Sequence, residues 1–97
     1  MSLVLTEAHR ALVLATVHAV LPGARLAVFG SRANGRARPF SDLDLLLLEP
    51  SSLSWRQRAD LQDGLEASAL PFRTDIVEWS ALPDDLRQRV MAEAQPL

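Results

Sequence analysis

Two aspartates, Asp42 and Asp44, stand at the start of a run of leucines, where their carboxylates could hold a metal ion. Side chains alternate along a strand, so both carboxylates point the same way, about 6–7 Å apart along the chain. Two carboxylates beside an apolar strand are costly unless something pairs with them. Mg²⁺ is the first candidate, because it takes oxygen ligands beside phosphates. A solvated strand end with surface aspartates is the alternative for this pair alone.

Gly30 and Ser31 form a second chemical feature, separated from Asp42 by ten residues. The apolar run before them breaks at Gly30, where the missing Cβ lets the backbone turn sharply and approach a ligand. Residues 31–34 are predicted to begin a short helix, whose free N–H groups and Ser31 hydroxyl would form an anion site. For a Gly-Ser pair in isolation, an ordinary turn is the alternative.

The loop between these features is rich in arginine, with Arg32, Arg36 and Arg38. Guanidinium groups suit the oxygens of a triphosphate, and Arg32, beside the Gly-Ser turn, is the best placed of the three to bind nucleotide. Solvated, flexible arginines are the alternative. Ser41 is also a candidate for the nucleotide site, although it could instead end the loop or order Asp42.

A third carboxylate, Asp75, lies in a later segment of strand character, where it shares one face with Arg73 and Val77. If that strand lies beside residues 42–48, three carboxylates meet at one end of a sheet. Three carboxylates can hold two Mg²⁺ ions about 3.5–4 Å apart, which stabilises the attacking and leaving oxygens of phosphoryl transfer.

The elements that must position these residues follow from the hydrophobic pattern and the caps. A helix over residues 7–20 is capped by Thr6, and Ser54 opens a capping box for a helix that reaches about residue 69. Strands are predicted at 25–29, 42–48 and 72–79, with the short helix at 31–34 between the first two. A last helix begins at Pro83, with Leu86, Val90 and Ala94 as its inner stripe.

Composition excludes several classes of enzyme. The 97 residues carry a net charge of −2, and all ten basic residues are arginine, so the lysine of a P-loop is missing. Without lysine, cysteine or tyrosine the chain cannot form lysyl, cysteinyl or tyrosyl intermediates. The longest apolar run is too short for a membrane span or a signal peptide. We therefore expect a single cytoplasmic domain over residues 1–97 that does not bind nucleic acid directly.

The order Gly30-Ser31, ten residues, Asp42-Leu43-Asp44 resembles the signature of the DNA polymerase β-like nucleotidyltransferase superfamily. The small size resembles its minimal nucleotidyltransferases (MNT or MntA-like proteins), and residues 70–79 resemble the family's third-carboxylate strand. The resemblance implies an α+β, two-layer fold in which helices pack on a small mixed β-sheet of three or more strands.

The same resemblance implies roles for the site residues. Asp42 and Asp44 would bridge two Mg²⁺ ions, and Asp75 would help hold the ion that activates an acceptor hydroxyl. Gly30 and Ser31 would grip the β- and γ-phosphates of a nucleoside triphosphate.

The activity so implied is Mg²⁺-dependent transfer of a nucleoside monophosphate, AMP from ATP, to a hydroxyl. The chain is too small for a separate acceptor domain, and the resemblance implies a helical-bundle partner of the HEPN type, the nucleotidyltransferase substrate-binding protein. In toxin–antitoxin versions a tyrosine of that partner receives AMP. One alternative is an antitoxin or regulatory subunit that sequesters the partner with little turnover, and a weaker one is a metal-dependent phosphohydrolase.

Overall fold

The computed structural model describes residues 3–97 and contains three helices, four strands and two short 3₁₀ turns. The 3₁₀ turns are Gly30–Arg32 and Trp79–Ala81. The helices are α1 (Glu7–Val20), α2 (Trp55–Ala67) and α3 (Asp84–Glu93), and the strands are β1 (Arg25–Phe29), β2 (Leu43–Glu49), β3 (Thr74–Glu78) and β4 (Gln95–Pro96).

The four strands form one mixed sheet in the order β3-β2-β1-β4. Strand β1 pairs antiparallel with β2 and with β4, whereas β2 and β3 run parallel, joined by α2. This arrangement confirms the predicted small mixed sheet with helices packed on it. Strand β4 was not predicted, because two residues are too few to show an alternating pattern and one of them is a proline.

Strand β2 is the centre of the core. Four of its leucines are fully buried, namely Leu43, Leu45, Leu46 and Leu47. The odd-numbered ones join the hydrophobic cluster that includes Val13 and Val17 of α1 and Leu61 and Leu65 of α2. Leu46 points to the opposite face of the sheet and is also buried, so the prediction of a strand covered on both faces is confirmed.

Local signals in the sequence define the ends of α1 and α2. The Thr6 side chain accepts the His9 N–H at 3.1 Å, as expected of an N-cap. Ser54 and Gln57 form a reciprocal capping box at the start of α2. Helix α2 ends two residues earlier than predicted, and β2 begins one residue later.

The C-terminal helix differs most from the prediction. Pro83 is the N-cap residue of α3, one position before the first helical residue that it was predicted to be. None of the ten residues that the structure assigns to this helix is buried. Leu86, predicted on the inner stripe, is 37 % exposed. The helix therefore lacks the fully buried face that was predicted. Within residues 3–97, no helix is long and apolar enough to cross a membrane.

Candidate active site at one end of the sheet

The parallel register of β2 and β3 places two of the predicted catalytic carboxylates side by side. Asp44 and Asp75 are Cα partners across this pair, and Phe29 is the partner of Asp44 across β1 and β2. Residues directly opposite one another lie on the same face of a sheet. Asp42 immediately precedes β2 and is exposed, two residues before Asp44. The carboxylates therefore gather at the start of β2 on the face opposite the α1–α2 core.

Asp44 lies in an environment that disfavours its ionised form. Burial raises the pKa of its carboxyl group, and the negative charges of Asp75, Asp42 and Glu93 raise this pKa further. Among residues 3–97, neither Asp42 nor Asp44 forms an ion pair, whereas Asp75 is paired with Arg73 at 3.2 Å. Like charges thus accumulate around Asp44 without a cation of the protein to balance it.

A divalent cation suits these residue types, although the side chains do not enclose one. Within the described part of the chain, no three His, Cys, Asp or Glu side chains form a group that could hold a metal. The charged groups that act on Asp44 are carboxylates, whose oxygens are ligands that Mg²⁺ prefers, and a cation would relieve their mutual repulsion. Asp42 and Asp44 therefore fit Mg²⁺, and Asp75 would have to leave Arg73 to join them.

Gly30 packs directly against the Asp44 carboxylate. Its φ of +74° lies in the left-handed region, and a Cβ at this position would overlap Oδ2 of Asp44. Glycine is therefore required both by the backbone conformation and by the close approach. The Gly30 N–H donates to Oε1 of Glu93 at 3.0 Å, so this amide has a protein acceptor.

Ser31 lies in the 3₁₀ turn that follows β1 and is partly exposed, next to the Gly30–Asp44 contact. The predicted short helix is present as this single turn, which begins at Gly30. The Ser31 carbonyl accepts the Arg36 N–H at 3.0 Å, which closes the first part of the loop.

Arg32, predicted as a nucleotide contact, lies buried in the loop with its donors turned into the protein. The residue is only 4 % exposed. Its guanidinium donates to the carbonyls of Val4, Pro39 and Ser41 at 2.9–3.1 Å and lies 4.0 Å from the centre of the Phe72 ring. Burial lowers its pKa. These hydrogen bonds fasten the loop to the N-terminal segment, and they occupy the donors of Arg32 inside the protein.

Ser41 orders the same loop. Its Oγ accepts the Arg38 N–H at 2.8 Å, and its carbonyl accepts two hydrogen bonds from Arg32. Ser41 therefore orders the end of the loop directly before Asp42, and its part in nucleotide binding stays a prediction. Arg36 and Arg38 are exposed.

Glu93, from the end of α3, is the residue near the site that sequence reasoning missed. It lies 63 residues beyond the glycine whose amide it accepts, and no local pattern marks it. Phe72, the aromatic partner of Arg32, was likewise expected only as part of a strand. Both contacts arise from tertiary packing, so spacing in the sequence carries no signal for them.

Comparison with known proteins agrees with this geometry. The family model "Polymerase beta, Nucleotidyltransferase" matches residues 24–97, a stretch that includes the Gly-Ser turn and all three aspartates. The chain belongs to this family. Within it, the chain is an MNT/MntA-like member and a nucleotidyltransferase.

Individual relatives support the assignment. "Probable protein adenylyltransferase MntA" of Haemophilus influenzae is 32 % identical over 78 residues, which cover 80 % of this chain and 68 % of the relative. A solved structure assigned as a minimal nucleotidyltransferase superposes with a TM-score of 0.71 at 38 % identity, over 100 % of this chain and 97 % of the other. A chain from a crystal structure of a toxin–antitoxin with AMP-PNP has a TM-score of 0.72 at 23 % identity, covering 89 % and 69 %, and shares the fold.

Proposed function

We propose that this protein transfers AMP from ATP, with Mg²⁺, to a hydroxyl on a helical partner protein of the HEPN type. The observation that carries the proposal is the pairing of Asp44 with Asp75 in the β2–β3 register, with Asp42 just before β2. Family membership supports nucleotidyl transfer, and the name of the Haemophilus influenzae relative supports a protein as the acceptor.

The carboxylates have separate tasks in this proposal. Asp42 and Asp44 would hold Mg²⁺ beside the triphosphate, and Asp75 would help to hold the ion on the side of the acceptor. Mg²⁺, when bound, supplies positive charge where the phosphates carry negative charge. Arg73 balances Asp75 while no cation is present, and because its side chain is 73 % exposed it is able to swing away.

The reaction needs positioning more than covalent chemistry. The acceptor oxygen forms a bond to the α-phosphorus, the bond from that phosphorus to the bridging oxygen breaks, and pyrophosphate leaves with the electron pair. The proton of the hydroxyl is lost to solvent. Gly30 and Ser31 orient the β- and γ-phosphates so that the leaving oxygen lies opposite the acceptor. The chain therefore requires no nucleophile of its own, consistent with its lack of lysine, cysteine and tyrosine.

The test is incubation of the purified protein with the helical protein encoded beside it, Mg²⁺ and ATP, followed by intact mass. We expect one or more AMP units on the partner and release of pyrophosphate. Asp42→Asn and Asp75→Asn should each abolish the added mass while the complex still forms. Asp63→Asn, at an exposed aspartate of α2, is the matched control and should leave transfer unchanged.

Two results would contradict the proposal. A stable complex without added mass, with partner neutralisation that survives loss of all three aspartates, would identify a sequestering subunit. Orthophosphate in place of pyrophosphate would identify a phosphohydrolase.

A further inference from the structure

The hydrogen bond between Glu93 and Gly30 lies at the carboxylate end of the sheet, where Gly30 contacts Asp44. Phe29 is the partner of Asp44 in the β1–β2 pair, and a groove of about 350 Å³ is lined by Phe29, Gly30 and Glu93 together with Leu86, Arg89 and Val90 of α3. The negative charge of Glu93 raises the pKa of Asp44, although less than burial and the charges of Asp75 and Asp42 do. Glu93 is therefore close to the reacting end of the sheet.

The hydrogen bond replaces a sheet partner that the chain does not supply. Strand β4 pairs with β1 only at Ala27 and Val28. In an antiparallel ladder alternate residues bond to the same neighbour, so the amide after Val28 that points toward β4 is that of Gly30. The residue that would lie opposite Gly30 in this ladder is Glu93, whose backbone belongs to the last turn of α3. The Glu93 side chain reaches across and accepts the Gly30 N–H at 3.0 Å.

Movement of Gly30 would be transmitted to Asp44. The glycine backbone packs so tightly on the Asp44 carboxylate that there is no room for even one added carbon atom. The side-chain acceptor of Glu93 restrains the Gly30 amide, which has no backbone partner on β4. The orientation of the Gly-Ser turn and of Asp44 is thus set from α3, a helix with no buried residue among the ten described.

We propose that Glu93 is a positioning residue for nucleotidyl transfer, which holds the Gly30 turn in the conformation that receives the triphosphate and fixes Asp44 beside it. The inference rests on the proposed function above. It requires Glu93 as a hydrogen-bond acceptor and not as a negative charge, so Glu93→Gln retains the role and Glu93→Ala loses it.

The link itself can be observed without any chemistry. Only Gly30 among the four glycines follows a phenylalanine, so labelling with ¹³C-carbonyl phenylalanine and ¹⁵N-glycine isolates its amide in an NMR spectrum. In Glu93→Ala we expect the Gly30 amide to exchange with solvent about 10-fold faster or more, because it loses its hydrogen-bond acceptor. Glu93→Gln should keep most of the protection.

The functional readout is the rate of AMP transfer to the partner, below the melting temperature of every variant. We expect kcat/KM for Glu93→Ala to fall about 10- to 100-fold through displacement of the turn, and Glu93→Gln to restore it to within about threefold of wild type. Asp85→Asn, at an exposed acid in the first turn of the same helix, is the matched control and should match wild type.

The outcomes distinguish failure of the Glu93 role from failure of the proposed function. Unchanged transfer in Glu93→Ala, or tighter ATP binding by it, would overturn the positioning role, since tighter binding would mean that Glu93 competes with phosphate. Glu93→Gln as inactive as Glu93→Ala would show that the charge matters, which also overturns it. A wild-type protein that neither binds ATP nor transfers AMP would refute the proposed function, and the role of Glu93 with it.

Discussion

Replacement of Arg32 by alanine tests whether this arginine supports the loop or binds nucleotide. The change removes the donors from the carbonyls of Val4, Pro39 and Ser41 and the cation from the face of Phe72. Each carbonyl left without its partner costs about 1 kcal/mol at the lower end of the range, and the cation–π contact adds about 0.5–2 kcal/mol. Burial lowers the pKa of Arg32 because the buried charge is desolvated. Arg32→Ala removes this desolvation cost, which offsets part of the loss of stability.

The net loss of unfolding free energy in Arg32→Ala is therefore about 3 kcal/mol, against a total of about 5–15 kcal/mol for a domain of this kind. In a domain of this length each kcal/mol lowers the melting temperature by about 4–8 °C, so we expect a fall of at least about 12 °C. Thermal unfolding followed by circular dichroism measures it, with urea unfolding at room temperature as a second estimate.

Arg38→Ala is the control, because Arg38 is exposed in the same loop and bonds to Ser41 through its backbone N–H and carbonyl, which the substitution keeps. It should melt within about 2 °C of wild type. Arg32→Lys keeps the charge without the planar fork and should lie between wild type and Arg32→Ala. An Arg32→Ala protein that melts like wild type but binds ATP weakly would refute the reasoning and return Arg32 to the phosphate site.

Two further predictions concern the carboxylate end of the sheet. Asp44→Asn should abolish AMP transfer yet raise the melting temperature in metal-free buffer at neutral pH. Folding raises the pKa of Asp44 above its ordinary value of 3.8. The native state of the wild type therefore loses stability as the pH rises through the window between that ordinary value and the raised pKa of the folded state. The gain should vanish below that window, and a gain that persists there would contradict this cause. Gly30→Ala and Gly35→Ala each place a Cβ at positive φ, which should cost about 1–2 kcal/mol in urea unfolding, and Gly30→Ala should cost more because its Cβ also overlaps the Asp44 carboxylate. Only Gly30→Ala should abolish transfer, because its Cβ displaces the Asp44 carboxylate whereas Gly35 has open space around it, and inactivity of both variants would refute that explanation.

Features that depend on neighbouring residues could be predicted from the sequence. The caps at Thr6 and Ser54 act within three residues, and the uninterrupted run of leucines in β2 indicates by itself a buried strand. These elements therefore lie close to their predicted positions. The parallel placement of Asp75 beside Asp44 was expected only on the condition that their strands are neighbours, and the register meets that condition.

Features that depend on distant residues could not be predicted. Arg32 looked like a phosphate ligand because its neighbours in sequence are Gly30 and Ser31. Its acceptors include Val4, 28 residues earlier, which no local pattern links to it. Glu93 is a similar case, since an acid at the end of a helix usually lies in solvent and here accepts a specific amide.

The parallel pairing of β2 with β3 has a consequence for how the site comes into being. Strands β1 and β2 carry the Gly-Ser turn and the first two aspartates, whereas Asp75 arrives only after the chain has passed through all of α2 and closed a long-range contact. Contacts between distant segments require loop closure and form late relative to local ones. A slip of one residue in this pairing would turn Asp75 to the opposite face. Catalytic competence is thus expected to be among the last properties that the folding chain acquires.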